Sequence, residues 1–309
     1  MALTNQIRRT FVIMGLLGFF SNLFSCSDSK SGFKPGLLTA RGYYVKNGKA
    51  YWYGGFSNAE LIELTSANAK SFITLDEKFP NVEFASSYAS DGKHVYFNGG
   101  RIKDADGQTF EVLGYGWGKD ARNVYSWYSI VSDDAQHYVD AKGGLKKDSK
   151  HVYSGDKIVS DDPESLKFLG TVGYHSYHSD SRGIMSGRTR IDSADVATFR
   201  PLDHGYSVDK SQVFLLETTK LEILKDADAK SFQVISEFYT KDAVSVFWRG
   251  EKLTDANPGT FKIISEEHHC SCDDKRVYHH NKIVPNADPA KFPAGKKYKY
   301  CNDSEIVFD

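Results

Sequence analysis

The chain has 309 residues, with 39 Lys and Arg against 40 Asp and Glu, a formal net charge of −1, 18 Tyr and 20 Phe. A balance this close to neutral excludes recognition of nucleic acid or of an anionic surface by bulk charge. Aromatic residues in quantity, with few long apolar helical stretches, point to strands.

Residues 1–25 read as an export signal. Arg8 and Arg9 form a positive n-region, and Thr10 to Phe20 form an apolar h-region. That stretch is too short to span a bilayer, which takes about 20 apolar residues. Leu23-Phe24-Ser25-Cys26 resembles a bacterial lipobox, although Phe24 departs from the usual small or aliphatic residue. The resemblance implies cleavage before Cys26 and diacylation of its thiol, and two or more acyl chains make a stable anchor. Ser27 is compatible with sorting to an outer membrane where the cell has one. Residues 26–42 are then a lipidated Cys and a flexible Ser-, Gly- and Lys-rich tether.

From about residue 43 to 309 the chain is a repeat. An Asp is followed four and five positions later by Val or Ile and a large apolar residue at Asp91, Asp120, Asp148, Asp180, Asp209, Asp242, Asp273 and Asp303. Successive members of this series stand about 30 residues apart, and a steady period of that size marks one recurring supersecondary unit. Within a unit, short alternating runs are punctuated by Gly, Asn and Asp, which predicts hairpins. Asp91 opens a turn, Val95-Tyr96 starts the return strand, Asn98-Gly99-Gly100 is a second turn, and Ile102 sits on a third strand.

A second landmark places an aromatic or Leu four positions after an Asp or Asn, as in Asp106-Phe110, Asp195-Phe199, Asp228-Phe232 and Asp288-Phe292. A Ser or Thr usually precedes the aromatic. This predicts a capped single helical turn that drops a ring into the core. Three positions before each turn Asp stand Tyr88, Trp117, Leu145, Tyr177, Tyr206, Tyr239, Cys270 and Tyr300, an expected core stack. A degenerate unit around Asn47 and Tyr51-Trp52 opens the array.

The motifs DGKHVYF, DSKHVYS, DKSQVFL and DKRVYHH resemble the DKNYY family of bacterial repeat proteins over nearly the whole mature chain. The resemblance implies a β-rich repeat protein, often exported or membrane-associated. It names no catalytic residue. The unit is shorter than a four-stranded propeller blade and suits three strands. The two ends of the array repeat rather than complete each other. The expected fold is therefore all-β, an open curved array, with a closed propeller-like ring as the alternative.

Three groups of residues are candidates for chemistry or contact. The stretch 266–281 holds His268, Cys270, Cys272, His279 and His280, whose imidazole and thiol groups suit zinc or copper. Alternation sets His268, Cys270 and Cys272 on one face, but the spacing matches no standard finger. The competing reading is a disulfide among Cys270, Cys272 and Cys301, which in an exported chain are prone to oxidation. A bridge to Cys301 requires the strand parity to relax. The aromatic ladder Tyr96, Tyr125, Tyr153, Phe214, Phe247, Tyr278 and Phe308 reads as core packing, leaving Trp127 and Trp248 as a contact surface. Asp104-Ala105-Asp106-Gly107 lacks the fifth and twelfth positions of a calcium loop.

No phosphate loop, nucleotide-binding glycine fingerprint, HExxH or GxSxG is present. No cofactor is expected. The reading that follows is a non-enzymatic, lipid-anchored binding or scaffold module of the bacterial cell envelope. Its expected partners are the membrane, through the lipid, and an envelope protein, peptide or glycan, with no nucleic acid. A metal-handling lipoprotein using the hairpin at 268–280 and a hydrolase with a dispersed site are the alternatives.

Overall fold

The structure is a computed structural model that describes residues 40–55, 60–291 and 298–308. The export signal, Cys26, most of the tether and Phe292 lie outside the described residues. Among the described residues the strands form nine antiparallel sheets: one of three strands, seven of four and one of two. We number these units 1 to 9, spanning residues 42–63, 73–102, 111–132, 139–160, 167–191, 200–223, 233–252, 262–283 and 298–308.

A full unit has four strands, where the sequence suggested three. The strands are short, from the dipeptide Ile73–Thr74 to the longer Lys167–Val172, and tight turns join them, so four fit within one repeat. The extra strand is the run after each landmark aromatic, such as Glu111–Gly114, which starts the next sheet. The anticipated helical turn is a single hydrogen-bonded turn. The N–H of Thr198 donates to Asp195 O at 3.2 Å, and Ser231 and Thr260 repeat the bond.

The pleat gives each residue of the Val-Tyr pair its own task. In unit 2, Tyr88 pairs with Phe97, Ala89 with Tyr96 and Ser90 with Val95. Side chains alternate across a strand, so Tyr88, Val95 and Phe97 share one face and Tyr96 takes the other. The first face packs against Tyr125 of unit 3. Tyr96 packs back onto Ala50 and Trp52 of unit 1. The same handover puts Met185 on Leu145 and Val152, Phe214 on Tyr177 and Ile184, Phe247 on Tyr206, and Tyr278 on Tyr239. Every ladder residue from Tyr96 to Tyr278 is therefore core. Landmark rings fill the gap: Phe110 lies 5.9 Å from Tyr88 and 6.0 Å from Tyr125. Gly118 makes room for it, because a Cβ there would sit 2.2 Å from the Phe110 ring.

The buried turn Asp ties these layers together. Asp120 Oδ1 accepts the N–H groups of Arg122 and Asn123, each at 2.8 Å. Its Oδ2 accepts the Tyr125 hydroxyl at 2.7 Å and the N–H of Asp106, in the preceding linker, at 3.0 Å. Asp91, Asp209, Asp242 and Asp273 hold the corresponding linker N–H groups of Asn68, Asp195, Asp228 and Asn257. The Ser or Thr before each landmark ring has a partner too. The hydroxyls of Thr109, Thr198, Ser231 and Thr260 accept N–H groups of the next turn, from Ala121, Lys210, Ala243 and Asp274.

Unit 9 departs from the register. Its turn is capped by Asn302, whose Oδ1 accepts the N–H groups of Ser304 (2.8 Å) and Glu305 (3.0 Å). Asp303, the residue expected to cap it, is displaced by one position. Ile306, paired with Cys301, faces back toward Cys272, Val277 and Val284 of unit 8. Tyr300 leaves the core stack and is 36% exposed.

Among the described residues, the hydrogen bonds, ring contacts and disulfide that cross between units join consecutive units only. Among these same residues none joins unit 1 to unit 9, and no strand of one pairs with the other. The array is open, with a core that grows by stacking.

Candidate functional site

Each full unit has its capped Asp turn at one edge and two neighbouring turns at the other. These two are tied by the N–H of Asn98 to Ser87 O at 2.9 Å, of Arg249 to Phe238 O at 2.8 Å and of His280 to His269 O at 2.9 Å. In six of the seven full units the residue seven after the turn Asp is left-handed: φ is 44° at Asn98, 56° at Trp127, 61° at Gly155, 55° at Gly187, 48° at Arg249 and 55° at His280. Hairpin twist demands this geometry, and Asn or Gly adopts it at least cost. Trp127 adopts it without that advantage.

The consequence is an aromatic ledge on units 2 and 3. Phe84, Tyr115, Trp127 and Tyr128 are 48%, 41%, 50% and 43% exposed. Phe84 meets Tyr115 at 5.1 Å and Tyr115 meets Trp127 at 5.5 Å, both edge to face. The fully buried Phe97 is their pedestal, with ring centroids 5.3 Å from Tyr115, 5.6 Å from Trp127 and 5.9 Å from Tyr128. The polar tips are engaged among themselves. Tyr128 donates to Phe97 O at 3.0 Å, Asn98 Nδ2 to the Tyr115 hydroxyl at 3.3 Å, and Arg41 to Asn98 Oδ1 at 2.9 Å. What faces solvent is apolar ring surface on a rigid base.

Trp248, the other expected contact residue, is not a second ledge. It is half-buried, its Nε1 is enclosed without a partner, and its ring lies 4.8 Å from His280. Arg249 spans it and Phe238.

The expected His and Cys ligands are dispersed. Cys270 is bonded to Cys301, with Cα atoms 6.4 Å apart. Stacked units meet forward face to backward face, so the opposite parity of Cys270 and Cys301 suits the bridge and no relaxation is needed. Cys272 is a buried free thiol, and burial pushes its pKa up. That leaves it poor in thiolate. His268 lies outside the strand Cys270–Cys272, so alternation does not carry it to the cysteine face. His269 packs against Phe238 at 4.5 Å. His279 and His280, adjacent in sequence, stack at 4.0 Å because the left-handed His280 breaks the alternation. Asp303, which sequence reasoning assigned to a turn, joins them through Oδ1 at 2.6 Å from His279 Nδ1.

The opposite edge carries an open groove of about 570 Å³ lined by Asp104, Arg122, Asn123, Asp133 and Asp134. Nearby, Asp134 accepts bonds from both Ser149 and His137. The Ser149 hydroxyl donates to the carboxylate and not to the imidazole, so the trio lacks the serine-to-histidine link of an activated nucleophile. Asp104 is left-handed, while Asp106 caps its own turn through Gln108 and Thr109.

No curated protein and no solved structure matches the chain. The DKNYY family model matches residues 43–218 and 218–282. The matched span coincides with the units whose turn Asp, Val-aromatic pair and landmark ring carry the stacked core, and the chain belongs to the DKNYY family.

Proposed function

We propose that this chain is a lipid-anchored module of the bacterial cell envelope that docks a protein partner on its aromatic ledge. The lipobox-like Leu23–Cys26 segment and the tether after it support the anchored location. The ledge carries the binding reading: four contiguous, half-exposed rings sit on a buried pedestal. Trp and Tyr in such clusters are the residues that dominate protein interfaces. A protein is favoured over a glycan because the Tyr128 hydroxyl is committed to Phe97 O and the Asn98 amide to Tyr115 and Arg41. A sugar would have to displace those bonds, whereas apolar side chains need only the ring faces.

The test is the size of the chain's complex in solubilised envelopes, wild type against a Trp127→Ala/Tyr115→Ala double variant. A complex larger than the chain, lost in the double variant while its melting temperature holds, supports docking. An unchanged complex, or a chain that migrates alone in both, rejects it.

A further inference from the structure

The slip of unit 9 releases a carboxylate from the architecture. The turn residues Asp91, Asp120, Asp148, Asp180, Asp209, Asp242 and Asp273 are all 6% exposed or less and serve as caps. In unit 9 Asn302 takes that task, and the Asp303 side chain stays 47% exposed. It points back to unit 8, with Oδ1 2.6 Å from His279 Nδ1 and Oδ2 2.7 Å from Lys282 Nζ. His280 stacks on His279 at 4.0 Å. The donor atoms of His279, His280 and Asp303 lie within 4.8 Å of one another.

We propose that His279, His280 and Asp303 form a site for a divalent transition cation of the zinc class, which clamps unit 9 to unit 8. Two imidazoles and one carboxylate suit zinc or copper and not an oxygen-loving ion such as calcium. Zinc bonds of about 2.0–2.2 Å put ligand atoms about 3.3 Å apart in a tetrahedron. The 2.6 Å His279–Asp303 pair must therefore open by a few tenths of an ångström, and the ion replaces the proton between them. Asp303 is free to adjust on its exposed side, and Lys282 keeps Oδ2. Metal binding requires neutral imidazole. Of the five ligands expected from the sequence this site keeps His279 and His280, and Asp303 stands in for His268, Cys270 and Cys272.

The test titrates zinc chloride into the untagged full-length chain by calorimetry. Binding of one ion per chain is expected, weakened at least tenfold by His280→Ala and by Asp303→Asn, and unchanged by His268→Ala. The disulfide holds unit 9 in place in Asp303→Asn, so the variant keeps its fold. Cobalt substitution should give a visible ligand-field spectrum without a thiolate charge-transfer band, which separates this site from Cys272. Absence of stoichiometric binding, insensitivity to Asp303→Asn, or loss on Cys272→Ser overturns the proposal.

Discussion

Asp120, itself buried, accepts four hydrogen bonds, one of them from the buried Tyr125 hydroxyl. Asp120→Ala leaves those donors without a partner and should cost about 3 kcal/mol, read by denaturant unfolding. The same bonds set a pH dependence. Burial works against the charged form of Asp91, Asp120, Asp148, Asp209 and Asp273, but the donated hydrogen bonds outweigh it and lower each pKa. Asp180 is lowered in the same way, chiefly by Arg190. A carboxyl with a lowered folded pKa stabilises fully above its unfolded pKa, about 3.9. That stability drains as pH falls through the folded value. The melting temperature should hold from pH 7 to about 5 and fall steeply below about pH 4, and a chain whose stability is flat to pH 2 would contradict this. The turn role of Asp was legible because its offset to Val-Tyr is fixed. The purpose of the Ser or Thr before each ring was not, since its partner lies in the turn of the following sheet, beyond any local pattern.

The Val-Tyr pair could be assigned to strands from the sequence, and its two opposite faces followed from alternation. A run such as Glu111–Gly114 reads as a strand leading to the next aromatic, but local pattern does not show that a turn at 115–116 makes it a separate fourth strand. The terminal slip was also hidden. Asn302 and Asp303 can each cap a turn, and choosing the first pairs Cys301 with Ile306 and frees the Asp303 carboxylate. The Cys270–Cys301 disulfide joins the facing sides of units 8 and 9 and closes a sequence separation of 31. Chain entropy assigns such a loop about 3–4 kcal/mol. Cys301→Ser should therefore speed amide exchange across 298–308 and leave units 1–7 unchanged. Unaltered exchange in unit 9 would mean that packing through Ile306 alone holds it.

Across the whole molecule, contacts between nearest neighbours make stability a sum over units and interfaces. They also leave one edge of every unit free to vary, because the core needs only the two faces. At the left-handed position seven after the turn Asp, in every full unit but unit 6, stand Asn98, Trp127, Gly155, Gly187, Arg249 and His280, so the edge chemistry changes from unit to unit while the fold does not. An aromatic pair, Trp127-Tyr128, where turn chemistry calls for Asn or Gly was the one sequence signal of the ledge. Its joining to Phe84 and Tyr115 depends on how units stack. The most direct measurement is site-specific photo-crosslinking in intact cells, with the probe at residue 115, 127 or 128, and at the exposed Val196 and Val244 as controls. One envelope protein captured from all three ledge positions and from neither control is the predicted result. Equal labelling from ledge and control positions, or a glycan adduct in place of a protein, would contradict docking of a protein at the ledge.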